Sequence, residues 1–135
     1  MGLNVFNPLS EDIFQKVLEL TSNNLADVVI EATGASGPIS QMVSLSRVQG
    51  KIMIVGVSHE QVSVDLMNIN FKELTLIGCR VYDKNDFLES INFIKENKEM
   101  LKNFISHTLD LKDLKESINL ARTVKNSLKV VIKIA

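Results

Sequence analysis

Residues 26–37 read ADVVIEATGASG, and this stretch decides the fold class of the chain. Val28, Val29 and Ile30 form a continuous apolar run, which is typical of a strand covered on both faces of a parallel sheet. Gly37 follows in a loop, and Pro38 suits the first position of a helix. We therefore predict a strand, a loop and a helix, the repeating unit of an α/β fold with a parallel sheet.

The loop after this strand is poor in glycine for a nucleotide-binding turn. A dinucleotide fingerprint requires G-x-G-x-x-G, because its glycines allow a tight turn and the close approach of a pyrophosphate. Here only Gly34 and Gly37 are present, and no Gly-Lys-Ser/Thr ending follows. Taken alone, the loop favours a plain connection from strand to helix.

The remaining chain continues the alternation of strands and helices. We predict helices from Ser10 to about Thr21, from Pro38 to near Gly50, from Asp83 or Asn85 onward, and from Asp110. We predict further strands over Lys51–Val57, Glu73–Cys79, Ile105–Leu109 and Leu128–Ile134. The pattern changes near Phe104, which is the one weak boundary.

Bulk composition excludes several classes of function. A length of 135 residues is typical of one domain, and a net charge of -1 gives no sign of a nucleic-acid partner. The apolar runs are too short for a membrane span, and no leader is apparent, so we expect a cytoplasmic protein. The single cysteine, Cys79, cannot form an internal disulfide, which agrees with a reducing compartment.

Three loops follow predicted strands and are expected at one edge of the sheet. They are Thr33-Gly34, Val55-Gly56-Val57 and Gly78-Cys79-Arg80. Ligands of open α/β sheets bind at the carboxyl ends of the strands. The three loops therefore predict a shared cleft.

Individual polar residues are less informative. His59, His107 and Cys79 are scattered without metal-ligand spacing, so we predict no metal site. Arg80 could face a phosphate or a carboxylate, or form a surface ion pair, and Lys129 could equally be a solvated residue. We expect a structural role for Glu31, because burying an unpaired carboxylate is costly.

In order along the chain, six segments resemble the later half of zinc-type medium-chain dehydrogenases, in particular the sorbitol, butanediol and threonine dehydrogenase branch. The resemblance covers about residues 5–134. The segments are ADVVIEATG, GKIMIVGV, FKELTLIGCRVY, DFLESINFI, ISHTLDL and LKVVIKI.

The resemblance implies a partial Rossmann-like sheet over residues 1–104 and a returning segment of the catalytic lobe over residues 105–135. It also implies a homo-oligomer that pairs through the edge strand 73–79. NAD or NADP would be the cofactor, with zinc held by residues outside this chain. The implied cofactor-binding residues are Thr33, Gly34, Val55, Gly56, Val57, Cys79, Arg80, Val81 and Lys129, and the implied substrate residues are Arg80 and Tyr82.

The chain also departs from the family pattern. The G-x-G-x-x-G turn, the acidic residue for the adenosine ribose and the zinc ligands would lie upstream of Val5, and Val81 separates Arg80 from Tyr82. We therefore expect no catalytic residue here, and a chain that is inactive alone although it derives from an enzyme that moves a hydride between a secondary alcohol or polyol and NAD(P). The alternatives are a self-contained small α/β nucleotide-binding or regulatory domain, and a pure association module.

Overall fold

The structure is a computed structural model that describes residues 3–123 and 127–134. The chain divides into two compact units, Met1–Val81 and Tyr82–Ala135. In both units parallel strands pair with each other and helices flank them, which confirms the predicted α/β class. The predicted division into lobes near Phe104 concerns membership in a longer enzyme and stays a prediction.

The first unit contains a three-stranded parallel sheet with strands in chain order, β1-β2-β3. Its elements are α1 (Ile13–Leu20), β1 (Ala26–Glu31), α2 (Ser36–Leu45), β2 (Ser46–Ile54), α3 (Leu66–Phe71) and β3 (Thr75–Gly78). The third strand is shorter than the predicted Glu73–Cys79, because Glu73 has a left-handed backbone with φ of 52°.

The core of this unit lies between α2 and the central strand β2. Ile39, Met42 and Val43 recur at helical spacing and pack on Ile52, whose side chain is fully buried. These three residues therefore form the buried face of α2. Ile52 lies on the central strand, which has hydrogen-bonded neighbours on both sides.

Helix ends differ from the predicted ones where two candidate caps compete. Asp12, not Ser10, caps α1, and its carboxylate accepts a hydrogen bond from the amide of Gln15 at 3.1 Å. Helix α2 begins at Ser36, before Pro38, and ends at Leu45, well short of Gly50. Strand β2 therefore starts earlier than predicted.

Lys72 supplies hydrogen-bond donors to the backbone carbonyls at the end of α2. Its ammonium group donates to the carbonyl oxygens of Val43, Ser44 and Ser46 at 3.0, 3.2 and 2.8 Å. Helix ends leave such carbonyls without partners, and a cation there also suits the helix dipole. Partial burial lowers the pKa of Lys72 from its ordinary value.

The second unit contains a parallel pair of strands with helices before and between them. Its elements are α4 (Lys84–Glu96), α5 (Lys98–Lys102), β4 (Ile105–Asp110), a 3₁₀ turn (Leu111–Asp113), α6 (Leu114–Arg122) and β5 (Lys129–Lys133). Asp83 caps α4 in a reciprocal capping box with Asp86. Of the two predicted starts, Asp83 and Asn85, the first is therefore confirmed. Asp110 instead ends β4, and its side chain caps no helix.

Among the described residues, none of the helices has the length and apolar character needed to cross a membrane.

Candidate functional site

The three strands of the first unit end in register at one edge of the sheet. Glu31, the last residue of β1, pairs with Ile54 of β2, and Ile54 pairs with Gly78 of β3. The loops that follow these residues therefore lie side by side, as the sequence predicted. The amide of Cys79 continues the ladder by donating to the carbonyl of Ile54 at 2.9 Å.

Glu31 organises the loop after β1. Its side chain is only 3% exposed, and its carboxylate accepts hydrogen bonds from the Thr33 amide at 2.8 Å and from the Thr33 hydroxyl at 2.5 Å. The amide of Gly34 donates to both carboxylate oxygens, at 3.0 and 3.2 Å. These bonds, the Thr33 hydroxyl foremost, hold the pKa of Glu31 below its ordinary value even though burial opposes the charged form.

The same residue also binds the loop after β2. The main-chain carbonyl of Glu31 accepts hydrogen bonds from the amides of Val55 and Gly56, at 2.8 and 2.9 Å. One residue therefore joins the two loops, its side chain holding the first loop and its backbone holding the second.

Gly34 and Gly56 allow the two loops to touch. Gly34 has φ of 69°, and a Cβ atom there would overlap the carbonyl of Val57. A Cβ atom on Gly56 would overlap the amide nitrogen of Gly34 and a carboxylate oxygen of Glu31, and would lie 2.8 Å from the amide nitrogen of Thr33. Both positions therefore require glycine, because backbone atoms occupy the space of a side chain.

The surface at this edge is mostly apolar. Val55 and Val57 are 45% and 63% exposed, and Val81 is exposed in the third loop beside Arg80. The exposed surface of these loops therefore combines valine side chains with the positive charge of Arg80.

The remaining predicted site residues belong to the second unit. Tyr82 is exposed, and its ring stacks on Phe87 with 6.5 Å between ring centroids. Lys129 is the exposed first residue of β5, and its backbone bonds to the Ser106 hydroxyl. The structure brings together Thr33, Gly34, Val55, Gly56, Val57 and Cys79. Tyr82 follows Val81 in the segment between β3 and α4, and Lys129 lies on β5.

No group of three or more histidine, cysteine or acidic side chains that could hold a metal ion occurs among residues 3–123 and 127–134. That zinc is held by residues outside this chain stays a prediction.

The structural role predicted for Glu31 is confirmed, but the sequence did not identify this residue as the link between the two loops. A usable signal was present, because an acid at a strand end followed two residues later by Thr33 and three residues later by Gly34 offers local donors to its own carboxylate. An acidic side chain at that position has partners within its own turn, so it can be buried without a distant cation.

Comparison with known proteins identifies the relatives of this chain. Residues 1–96 match the family described as zinc-binding dehydrogenase. The chain is 33% identical over 114 residues to a 2-dehydro-3-deoxy-L-galactonate 5-dehydrogenase of Pseudoalteromonas atlantica. This alignment covers 84% of the present chain and 33% of the relative. It is 32% identical over 109 residues to a D-xylulose reductase of Saccharomyces cerevisiae, and this alignment covers 80% of the present chain and 31% of the relative.

Solved structures agree with this relationship. An oxidoreductase of unknown specificity from Escherichia coli superposes with a TM-score of 0.87 at 26% identity, over 96% of this chain and 37% of its own. An alcohol dehydrogenase from Thermotoga maritima has a TM-score of 0.84 at 25% identity, over 93% of this chain and 36% of its own.

The resemblance predicted from the six sequence segments is thus confirmed. The chain spans about a third of the length of the curated relatives it matches. It belongs to the zinc-binding dehydrogenase family, whose members among these relatives are alcohol and polyol dehydrogenases.

Proposed function

We propose that this chain forms one wall of the cofactor cleft of an oxidoreductase that moves a hydride between a secondary alcohol or polyol and NAD(P). The observation that carries the proposal is the in-register ending of three parallel strands, with their loops joined at one edge. Parallel sheets of this kind bind ligands at that edge. Relatives named as a D-xylulose reductase and sorbitol dehydrogenases support the polyol class.

Each loop has a proposed part in holding the cofactor. Val55, Gly56 and Val57 line the nicotinamide with their exposed valines and carbonyl groups, and Thr33 with Gly34 lies on the adenosine side. Cys79, Arg80 and Val81 form a second nicotinamide-side loop. Lys129 approaches the cofactor phosphates, and Arg80 and Tyr82 approach the substrate.

The chemistry of the reaction comes from NAD(P), which accepts or donates the hydride when bound. The residues of this chain orient the ring and keep water from it, and they hold no proton in the reaction. We therefore propose that the chain alone is inactive and that the zinc of the complete enzyme is held by residues outside it.

A nuclear magnetic resonance titration of the ¹⁵N-labelled chain with NAD⁺ tests this proposal. We expect weak binding, with a Kd above about 1 mM because only one wall of the cleft is present. The shifted amides should be those of residues 33–34, 55–57 and 79–81, and added Zn²⁺ should change nothing. Binding near 1 μM would favour a self-contained nucleotide domain, and shifts confined to other residues would contradict the proposed wall.

We also propose that two copies of the chain pair through β3. This strand lies at the edge of the described three-stranded sheet, and Leu76 and Ile77 are 39% and 38% exposed. An edge strand of this kind offers unpaired backbone groups to a second strand. Analytical ultracentrifugation should show a dimer that Ile77→Lys dissociates and that Lys51→Glu, on the central strand β2, leaves intact; a monomer at every concentration would contradict pairing.

A further inference from the structure

Glu31 takes up the hydrogen-bond donors of two neighbouring loops at once. Its carboxylate accepts the amides of Thr33 and Gly34, and its carbonyl accepts the amides of Val55 and Gly56. The Thr33 hydroxyl donates to the same carboxylate and accepts from the amide of Ala35 at 3.0 Å. Four backbone amides in the predicted cofactor loops therefore donate their hydrogen bonds to Glu31.

These hydrogen bonds determine which kind of ligand the two loops can bind. Phosphate is normally bound at strand ends by free backbone amides that point at its oxygens. An amide that already donates to a carboxylate has no hydrogen left for a phosphate, and the buried negative charge of Glu31 repels one. The loops still offer carbonyl oxygens and the exposed side chains of Val55 and Val57 to a ligand.

We propose that Glu31 is a positioning residue that locks the loops after β1 and β2 into one wall and keeps phosphate off that wall. The wall then accepts an uncharged part of a nucleotide that donates hydrogen bonds, such as a hydroxyl or an amide group. The assignment to a nucleotide rests on the proposed function, whereas the lock and the exclusion of phosphate rest on the hydrogen bonds alone.

A pH titration of the ¹⁵N-labelled chain tests the lock without any ligand. The amides of Thr33 and Gly34 should titrate together with a midpoint below pH 4.5, the ordinary pKa of a glutamate. Because the loops are joined, the amides of Val55 and Gly56 should follow with the same midpoint. Independent behaviour of the second loop would overturn the lock.

Two variants at Thr33 separate positioning from mere packing. Thr33→Val keeps the shape and removes the hydroxyl, so the common midpoint should rise toward 4.5, and Thr33→Ser should restore it. Glu60→Gln, on an exposed turn of the same unit, serves as the control and should leave all midpoints unchanged. A midpoint that does not move in Thr33→Val would contradict the proposed role of the carboxylate.

Titration with inorganic phosphate tests the exclusion. In the natural chain the Thr33 and Gly34 amides should not shift. In Glu31→Ala, which removes both the side-chain acceptor and its charge, they should shift with a measurable Kd, whereas Glu31→Gln keeps an acceptor oxygen and should bind phosphate more weakly than Glu31→Ala. A response in the natural chain, or none in a Glu31→Ala chain that keeps its circular dichroism spectrum, would overturn the exclusion. If the lock holds but NAD⁺ shifts none of these amides, the proposed function fails and the lock remains.

Discussion

Replacing Gly56 by alanine would place a methyl group where two loop backbones already touch. The new Cβ atom would overlap the amide nitrogen of Gly34 and a carboxylate oxygen of Glu31, and would lie 2.8 Å from the amide nitrogen of Thr33. Two of these three atoms belong to the backbone, so no side-chain rotation can relieve the contact.

The cost can be set from this geometry. Overpacking a filled site costs about 1–3 kcal/mol, and the upper end applies because backbone must move. In a unit of this size each kcal/mol lowers the melting temperature by about 4–8 °C, so a cost of about 3 kcal/mol in Gly56→Ala should lower it by about 12–24 °C. Urea unfolding of the whole chain, followed by circular dichroism, measures the change in free energy directly.

Two other glycines provide matched controls. A Cβ atom on Gly78 or Gly37 would meet nothing within 4 Å, and neither residue has a left-handed backbone. Gly78→Ala should stay within about 0.5 kcal/mol of the natural chain, and Gly37→Ala, in the first turn of α2, should stabilise by up to about 0.5–1 kcal/mol. If Gly56→Ala were as mild as these controls, the contact between the loops would be refuted.

Three further changes test other parts of the first unit. Because folding lowers the pKa of Glu31, the unfolded chain binds a proton at this residue at a higher pH than the folded chain does. The stability that Glu31 contributes is therefore full above about pH 4.5 and is lost as pH falls through the folded pKa. Glu31→Gln should reduce this loss of stability in acid, as measured by urea midpoints from pH 6 to 3. Lys72→Met should lower the free energy of unfolding by about 1 kcal/mol, because three carbonyls at the end of α2 lose their donor. Lys51→Met, at an exposed site, should leave the free energy of unfolding unchanged. Equal urea midpoints for the two variants would contradict the role of Lys72 at the helix end. Gln49→Gly should stabilise by up to about 1 kcal/mol, because relief of the left-handed φ of 59° outweighs the loss of the exposed hydrogen bond from the Gln49 side chain to Glu73 at 2.8 Å. Gln61→Gly, at an ordinary exposed position, should bring no gain.

The parts of the fold that follow from local pattern were predictable. The run Val28–Ile30 and the segment around Ile52 are both strands, as their apolar character predicted. The cover on both faces that the same pattern predicted is not present among the described residues, because Val28 and Ile30 are 48% and 62% exposed. Helix α3 was missed because Leu66 and Phe71 are exposed and give no amphipathic stripe. It forms because Asp65 caps it and Ile69 packs on the core, and only the first of these is visible in the sequence.

The start of β2 was missed for a different reason. Gly50 indicated the end of the preceding helix, yet the strand already runs from Ser46, and the pairing with β1 shifts between Ala26 and Val28. Gln49 has a left-handed backbone within this irregularity, and its amide donates to the carbonyl of Lys72 at 2.6 Å. A long-range bond of this kind overrides the local preference of glutamine, so the boundary could not be derived from neighbouring residues.

The candidate site combines a predictable placement with a chemistry that the sequence did not show. Topology alone brings Thr33, Val55 and Cys79 to one edge, because parallel strands end together. Whether the amides there face a ligand depends on where the carboxylate of Glu31 turns, and it turns inward onto Thr33 and Gly34. A loop poor in glycine and already satisfied by its own acid cannot serve as a phosphate cradle. The same hydrogen bonds join the two loops into one surface, and the proposed cofactor wall requires such rigidity in order to hold a flat ring in one orientation.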